Sequence, residues 1–474
     1  MRVLLIRPRD GIQINTRLPE SVNRVQGVYP PLGLAYVGAA LEEEGHQVSI
    51  IDAQAEGLSR EDLKRRAVLE RPDAIGTSSM TSTFWGLVEA MRACKEALPD
   101  VPTIIGGPHM DTYPVETMSH GEIDFGIIGE GEPVFPKLLN AISGKRRLSS
   151  VESIIYKKGA GNVKRTKGYS IVKDLDSLPI PARHLLPNDR YGSILVDKPF
   201  TTMISSRGCP YRCGYCFKAP KDRAMRFRDP KKIVDEIEDC LEKYKTRDLW
   251  FYDDTLTLSR SHIEGICNEI IGRKLSVRWE GVTRIDRINP DTARIMKESG
   301  CRRMRLGIES GSNRILKRMV KDITVERARE TVSTLKNAGI ETFGFFMLGY
   351  PGETEKTMRE TIDFSKSSGV DWAMFSVTTP YPGTRLHEEA VRLGVIRKDY
   401  WRDFVLGTEK GRIPFFMDGL EGVSKKAYSE FYFRPEFVIG RLSSIKSASD
   451  ILRYLKGFYA LAKYRMLPEE NVFS

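Results

Sequence analysis

The chain has 474 residues, 41% hydrophobic and 29% charged, a balance that suits a globular protein with room for two to four domains. No apolar run approaches the roughly 20 residues needed to span a bilayer, and the opening stretch at 1–8 is too short for a secretory leader, so a reducing cytoplasmic location is expected. A formal net charge of +11 admits nucleic acid, a membrane surface or an anionic substrate, but the sequence carries no nucleic-acid module, solenoid period or low-complexity tract.

Residues 1–145 alternate short apolar runs (3–8, 48–53, 74–79, 103–108, 125–129) with helical stretches (33–44, 61–69, 84–97, 134–142). Strand–helix alternation of this kind predicts a doubly wound parallel sheet, which binds ligands at the carboxyl ends of its strands. Small and polar residues gather at those ends. They are Pro31 and Gly33, then Ser78, Ser79 and Thr81, then Gly106, Gly107 and His109, and finally Gly129, Glu130, Gly131 and Glu132. No G-x-G-x-x-G follows the first strand, so a dinucleotide fingerprint is absent. Residues 146–195, rich in Lys, Gly and Pro, read as a linker with a strand-like piece at 153–158.

Residues 196–400 repeat the strand–helix unit six times, at 201–209, 247–254, 277–284, 303–310, 341–350 and 371–380. Six repeats predict a partial (β/α)6 barrel of the triosephosphate-isomerase type, with its chemistry on the loops after the strands. The loop after the first strand holds Cys209, Cys213 and Cys216 in a C-x3-C-x2-C pattern. Three thiolates on one loop can hold three irons of a cubane and leave the fourth open, whereas a structural cluster or zinc site takes four protein ligands. Zinc stays an alternative at this point, with His184 and His262 the nearest histidines. Cys94, Cys240, Cys267 and Cys301 are scattered singly and read as buried thiols. Later strand ends carry Asp253 and Asp254, which also suit a helix N-cap. Arg284 and Asp286 read as cofactor or substrate contacts or as an ion pair. Glu309 and Ser310 follow, then Gly349 and Gly352. Residues 401–474 turn helical, aromatic and basic, with nine Lys/Arg against three Asp/Glu between 425 and 465. Such a tail suits either a cap on the barrel or contact with an anionic membrane.

With Tyr215 placed before the last cysteine, the loop resembles the signature of radical S-adenosylmethionine (SAM) enzymes. The segments Pro30-Pro-Leu-Gly-Leu34, Gly45-His-Gln-Val-Ser-Ile-Ile-Asp52, Gly106-Gly-Pro-His109 and Gly129-Glu-Gly-Glu132 resemble the cobalamin-binding domain ahead of many such enzymes. The resemblance is to the branch that contains cobalamin-dependent methyltransferases and the anaerobic cyclase of chlorophyll biosynthesis. It implies one 4Fe-4S cluster on Cys209, Cys213 and Cys216, with SAM on the open iron. It implies Tyr215 and Gly349 near the adenine, Asp253 and Asp254 near the SAM amino group, and Glu309 and Ser310 facing SAM. Cobalamin would lie on the strand ends of the first domain, with no D-x-H-x-x-G histidine below cobalt and with His109 as a corrin neighbour.

The implied activity is reductive cleavage of SAM to a 5′-deoxyadenosyl radical that modifies an unactivated carbon. C-methylation of a large apolar substrate is expected, such as a lipid, an isoprenoid or a tetrapyrrole. Oxidative cyclisation or carbon–carbon coupling is the alternative, and a non-enzymatic cobalamin or iron–sulfur sensor a more distant one. The implied partners are that substrate and a one-electron donor of the ferredoxin or flavodoxin type, not nucleic acid. An RNA methylthiotransferase would need three further cysteines in its first domain, where this chain has only Cys94.

Overall fold

The computed structural model describes residues 1–9, 27–159, 162–193, 195–219, 223–409, 413–443 and 448–466. These form two units. The strands of the first are β1 (Arg2–Arg7), β2 (Gln47–Asp52), β3 (Ala74–Ser78), β4 (Thr103–Gly106), β5 (Phe125–Ile127), β6 (Ile154–Lys158) and β7 (Asn162–Arg165). They lie in the order β2-β1-β3-β4-β5-β6-β7. β1 to β5 run parallel, and β6 and β7 are antiparallel additions. Val3, Leu4, Leu5 and Ile6 of β1 are all buried, as a central parallel strand covered on both faces requires. The order reverses between β1 and β3, and the crevice beyond the carboxyl ends at such a switch point is where doubly wound sheets bind ligands.

The expected linker is a difference. Within 146–195, Ile154, Ile155 and Tyr156 are buried, and their strand pairs with β5. The apolar triplet supplies a face that the sheet edge can cover, so the first unit continues to Arg190. The stretch beginning at Ile396 also belongs to the first unit. There the Trp85 indole donates to the Phe404 carbonyl at 3.0 Å, and Trp401 is fully buried.

The second unit holds β8 (Phe200–Met203), the two-residue pair β9 (Ser206–Arg207) and β10 (Arg226–Phe227), then β11 (Asp248–Phe251), β12 (Arg278–Arg284), β13 (Cys301–Glu309), β14 (Glu341–Leu348) and β15 (Trp372–Val377). Six of these make a parallel sheet in the order β15-β14-β13-β12-β11-β8, a partial barrel. Alternate side chains, among them Met304, Leu306, Ile308, Phe346, Leu348, Phe375 and Val377, join one core with the Pro230–Tyr244, Arg260–Gly272 and Val325–Asn337 helices. The intervening positions therefore face the other side of the sheet. They include Trp250, Glu280, Arg303, Arg305 and Glu309.

An incomplete barrel leaves an edge with unpaired backbone groups. On β15 two tyrosines of the Leu420–Tyr432 helix meet them. Tyr428 Oη lies 3.2 Å from both the N–H and the carbonyl of Phe375. Tyr432 Oη accepts from the Ala373 N–H at 3.2 Å and donates to its carbonyl at 2.6 Å. Four residues of helix rise about 6 Å and two of strand about 7 Å, so the two spacings match. No helix among the described residues is long and apolar enough to cross a membrane.

Candidate functional site

The cysteine loop leaves β9 and returns on β10, whose antiparallel pairing closes its base. Gly208 enters the loop at φ +101°, where a side chain would be strained. Gly214 is pinned on both sides: its N–H donates to the Met319 carbonyl, and its carbonyl accepts from Leu386 N–H, each at 2.8 Å. A Cβ at Gly214 would come within 2.7 Å of the Tyr350 hydroxyl, so only glycine seats the loop this deeply. Cys209 and Cys213 are half-buried and Cys216 is exposed, all three as free thiols. Cys209 Sγ lies 3.8 Å from Thr255 Oγ1, and Cys213 Sγ lies 3.7 Å from Arg284 Nη1.

The other cysteines are of a different kind. Burial pushes the Cys94 and Cys267 thiols up to about 12, so they stay protonated and inert. Among the described residues no three His, Cys, Asp or Glu side chains converge on a single ion. A mononuclear zinc site needs such convergence, whereas ligands to separate corners of a cubane stand further apart. The donor set fits a three-thiolate cluster with a guanidinium beside it.

Of the two readings of Arg284, the ion pair is present. It pairs with Asp286 Oδ1 at 3.0 Å, and it stacks on the Tyr211 ring at 3.7 Å. Its Nη2 also donates to the Lys321 carbonyl at 2.5 Å. It thus ties the end of β12 to the cysteine loop. Tyr215 donates to Glu309 Oε1 at 2.8 Å, and both meet the ammonium of Lys321. Ser310 is fully buried, with its hydroxyl 3.1 Å from that of Thr361. Gly349, at φ +80°, donates its N–H to Glu353 Oε2 at 2.6 Å. Burial pushes the Glu353 carboxyl up to about 7, against the pull of that N–H and of Tyr350.

The aspartates, expected near the SAM amino group or as a helix N-cap pair, are engaged within the chain, and Ser259 caps the following helix. Asp253 is buried and accepts from Ser205 N–H, from Ser205 Oγ at 2.8 Å and from Ser206 Oγ at 2.5 Å. Its oxygens are engaged in fixing the chain that leads into the cysteine loop. Burial raises its carboxyl to about 6, and the serine bonds only partly offset this. Asp254 is exposed and pairs with Lys218.

In the first unit the strand ends hold the expected polar set. Gly107 sits at φ +88°, and a Cβ there would lie 2.3 Å from Ser78 Oγ. Gly129, at φ +84°, would strike the Ser170 carbonyl at 2.2 Å. Gly33 and Gly106 instead have open space around them, and Ser78 is exposed. Pro31 caps the Leu32–Glu43 helix, and Gly131 lies 3.4 Å from Val37 where its Cβ would be. Ser79 Oγ donates to the Met80 carbonyl. Glu130 accepts from Val172 N–H, and Glu132 is buried. Bare backbone with open space, flanked by hydroxyls, fits a large flat cofactor at the switch point.

His109 is a correction. It is fully buried, its ring nitrogens lie 3.1 Å from Thr81 Oγ1 and 2.8 Å from Thr117 Oγ1, and Phe84 stacks on it at 4.3 Å. Burial lowers it to about 3, so it stays neutral. It props the strand-end turn and does not reach outward to a corrin.

Two family models match the chain: the B12 binding domain over residues 21–139 and the Radical SAM superfamily over 203–365. An uncharacterized methyltransferase of Pyrococcus horikoshii is 32% identical over 443 residues, covering 93% of this chain and 94% of its own. The chain belongs to the cobalamin-binding radical SAM family. The anaerobic magnesium-protoporphyrin IX monomethyl ester cyclase of Rubrivivax gelatinosus is 29% identical, covering 82% of this chain and 70% of the cyclase. Among solved structures, the radical SAM methyltransferase TsrM of Kitasatospora setae superposes with a TM-score of 0.68. It is 20% identical, over 84% of this chain and 77% of TsrM, which shows a shared fold. The cofactors of this family member are a 4Fe-4S cluster, SAM and cobalamin. It is a cobalamin-dependent radical SAM enzyme of the methyltransferase or cyclase type.

Sequence reasoning missed Lys321, Lys218 and the Ser205–Ser206 pair. Lys218 and the serines flank the loop in sequence and lack a recognisable signal, whereas only chain folding brings Lys321 to it. Lys321 lies 105 residues beyond Cys216 with no motif of its own.

Proposed function

We propose that this enzyme C-methylates a large apolar substrate, of the lipid, isoprenoid or tetrapyrrole class. The observation that carries the reading is the inner wall of the barrel. Along β14 and β15, Phe346, Leu348, Phe375 and Val377 are buried in the core, while Phe345, Met347, Met374 and Ser376 stay accessible. Val282 on β12 is likewise half-buried, and Tyr252 after β11 is 56% exposed. This surface is aromatic, thioether and aliphatic with the hydroxyls of Ser376 and Tyr252, and the charged Glu280, Arg303, Arg305 and Glu309 on the same face are engaged in buried ion pairs, which suits a substrate with little charge.

When bound and reduced, the cluster and SAM supply a carbon radical able to take hydrogen from an unactivated C–H bond, and cobalamin supplies a methyl donor. The chain's own task is positional. Cys209, Cys213 and Cys216 would hold the cluster, and Tyr215 and Glu309 would contact SAM, whereas the Ser310 hydroxyl is engaged by Thr361 and the space beside Gly349 is filled by Leu420. In this reading Asp253 fixes the approach to the loop. Methyl transfer is favoured by the extent of likeness to the Pyrococcus methyltransferase. The cyclase likeness supports radical oxidation without methyl transfer as the second reading.

The test is anaerobic reconstitution with iron, sulfide and cobalamin, then incubation with SAM labelled in its methyl group, a strong reductant and fractionated lipid and tetrapyrrole extracts. Label in an apolar product together with deoxyadenosine is expected. Deoxyadenosine without label transfer would favour cyclisation, and label confined to polar products would remove the substrate class.

The Ala448–Met466 helix supports a further part of the reading, contact with an anionic lipid surface from which such a substrate could be drawn. Leu452, Leu455, Tyr459 and Met466 recur at helical spacing and are 57% to 76% exposed, with Lys456 and Lys463 exposed beside them. The wild-type protein should cosediment with phosphatidylglycerol-containing vesicles and not with pure phosphatidylcholine. Leu455→Glu should weaken this at least roughly fivefold. Equal sedimentation with both vesicle types, or with neither, rejects the lipid contact.

A further inference from the structure

The Asn313–Arg318 helix ends in an unusual turn. Val320 N–H donates to the Lys317 carbonyl and Lys321 N–H to the Leu316 carbonyl, each at 3.1 Å. That double bond pattern ordinarily places glycine at the left-handed residue. Here the residue is Val320, at φ +54°, and Asp322 follows at φ +53°. A β-branched side chain is strained in that region, and such strain persists only where surrounding contacts over-determine it.

Those contacts all lead to the cysteine loop. The Met319 carbonyl accepts from Gly214 N–H, and the Lys321 carbonyl accepts from Arg284, which also reaches Cys213. The Lys321 ammonium is 6% exposed and lies 2.9 Å from Tyr215 Oη and 2.8 Å from Glu309 Oε1. Glu309 is itself left-handed, at φ +70°, at a register shift between β13 and β14. Gly307 leaves the space: a Cβ there would lie 2.7 Å from Glu309 Oε1 and 2.8 Å from Lys321 Nζ. Two strained backbone sites and one obligatory glycine thus converge on a single buried ion pair.

We infer that Lys321 is a positioning residue of the SAM site, its ammonium fixing Tyr215 and the Glu309 carboxylate while its carbonyl fixes Arg284 against the cysteine loop. The inference rests on the assignment of Tyr215 and Glu309 to SAM and is independent of substrate class and of methyl transfer. Without the ammonium, the Glu309 carboxylate is buried with one donor fewer and has no reason to hold its left-handed conformation.

The test uses the anaerobically reconstituted full-length enzyme without substrate. In Lys321→Met, the dissociation constant for SAM should rise at least roughly tenfold, the loss expected for a hydrogen bond between charged groups. The change that SAM produces in the electron paramagnetic resonance spectrum of the reduced cluster should be lost, while iron and sulfide content stay at the wild-type level. Lys321→Arg should recover part of the affinity. Wild-type affinity and wild-type spectral response in Lys321→Met would overturn the inference. Should Lys321→Met fail to hold its cluster, Tyr215→Phe decides. That variant removes one bond of the set and should weaken SAM about threefold with the cluster intact; unchanged affinity there overturns the inference as well.

Discussion

A Cys213→Ala variant is expected to keep its fold and lose SAM cleavage. The thiol is half-buried on a loop and belongs to no core cluster, so its removal leaves little cavity. The loop backbone is held independently, through Gly214 to Met319 and Leu386 and through the β9–β10 pair. Two thiolates cannot hold three corners of a cubane, so bound iron should fall to a small fraction of wild type. Deoxyadenosine formation should drop by more than about a hundredfold, beyond the cost of losing an outer hydrogen-bond partner. Cys94→Ala, in the core of the other unit, should leave iron content unchanged. Iron determination and chromatographic measurement of deoxyadenosine check both. A Cys213→Ala enzyme with a full complement of iron and normal deoxyadenosine would remove the cluster assignment.

Glu280→Gln is expected to destabilise the second unit by about 3–5 kcal/mol, the usual cost of breaking a buried ion pair on one side. Glu280 Oε2 lies 3.2 Å from Arg303 and Oε1 lies 3.0 Å from Arg305, and all three side chains are at most 5% exposed. Arg303 has a second partner in Glu341 at 2.6 Å, and Arg305 also lies over the rings of Trp250 and Phe343. The amide keeps the shape and removes the charge, so the buried guanidiniums of Arg303 and Arg305 lose the carboxylate they share. Burial alone would push the Glu280 carboxyl up, yet the charges of Arg305 and Arg303 outweigh it and hold the group below the ordinary carboxylate range. For an acid lowered on folding, the stabilisation is present above its unfolded value and is lost as pH falls through the folded one. The deficit of Glu280→Gln should therefore shrink in acid. Thermal unfolding at neutral pH should show a midpoint lower by roughly 10 °C. In the double variant Glu280→Gln/Arg305→Met part of the loss should return, since one of the two buried cations that shared the carboxylate is gone. A midpoint within a degree of wild type for Glu280→Gln would show that the buried cluster is not energetically coupled.

Much of the fold was legible because its signals are local. The apolar runs of β1 to β5 and of the six barrel strands are buried segments bounded by glycine and polar turns, and their alternation with helices leaves few topologies. The cysteine loop was legible because three metal ligands fall within eight residues. Glu309 stood out because a buried glutamate at a barrel mouth is costly unless it is paired or hydrogen-bonded, which points to a contact rather than filler. What failed was anything decided by partners remote in sequence. The 154–158 stretch looked like part of a linker because one apolar triplet cannot reveal that β5 has an open edge for it. His109 sat in a family-like motif, but Thr81 and Thr117 claim both of its nitrogens. Asp253 was read as a contact of the SAM amino group or a helix cap, and two serines at the entry to the cysteine loop engage its carboxylate.

The sequence by itself determined the parallel α/β architecture of both units, the trio of thiolates and the absence of a dinucleotide fingerprint, because each of these depends on residue type and short spacing. Only the tertiary structure decided which charged groups serve the loop. Arg284 and Glu309 come from the ends of β12 and β13 and Lys321 from the turn after the Asn313–Arg318 helix, and their contacts exist because the fold places them side by side in a water-poor interior. There an unpaired charge is too costly to tolerate, and the backbone accepts left-handed strain at Val320 and Glu309 to avoid one.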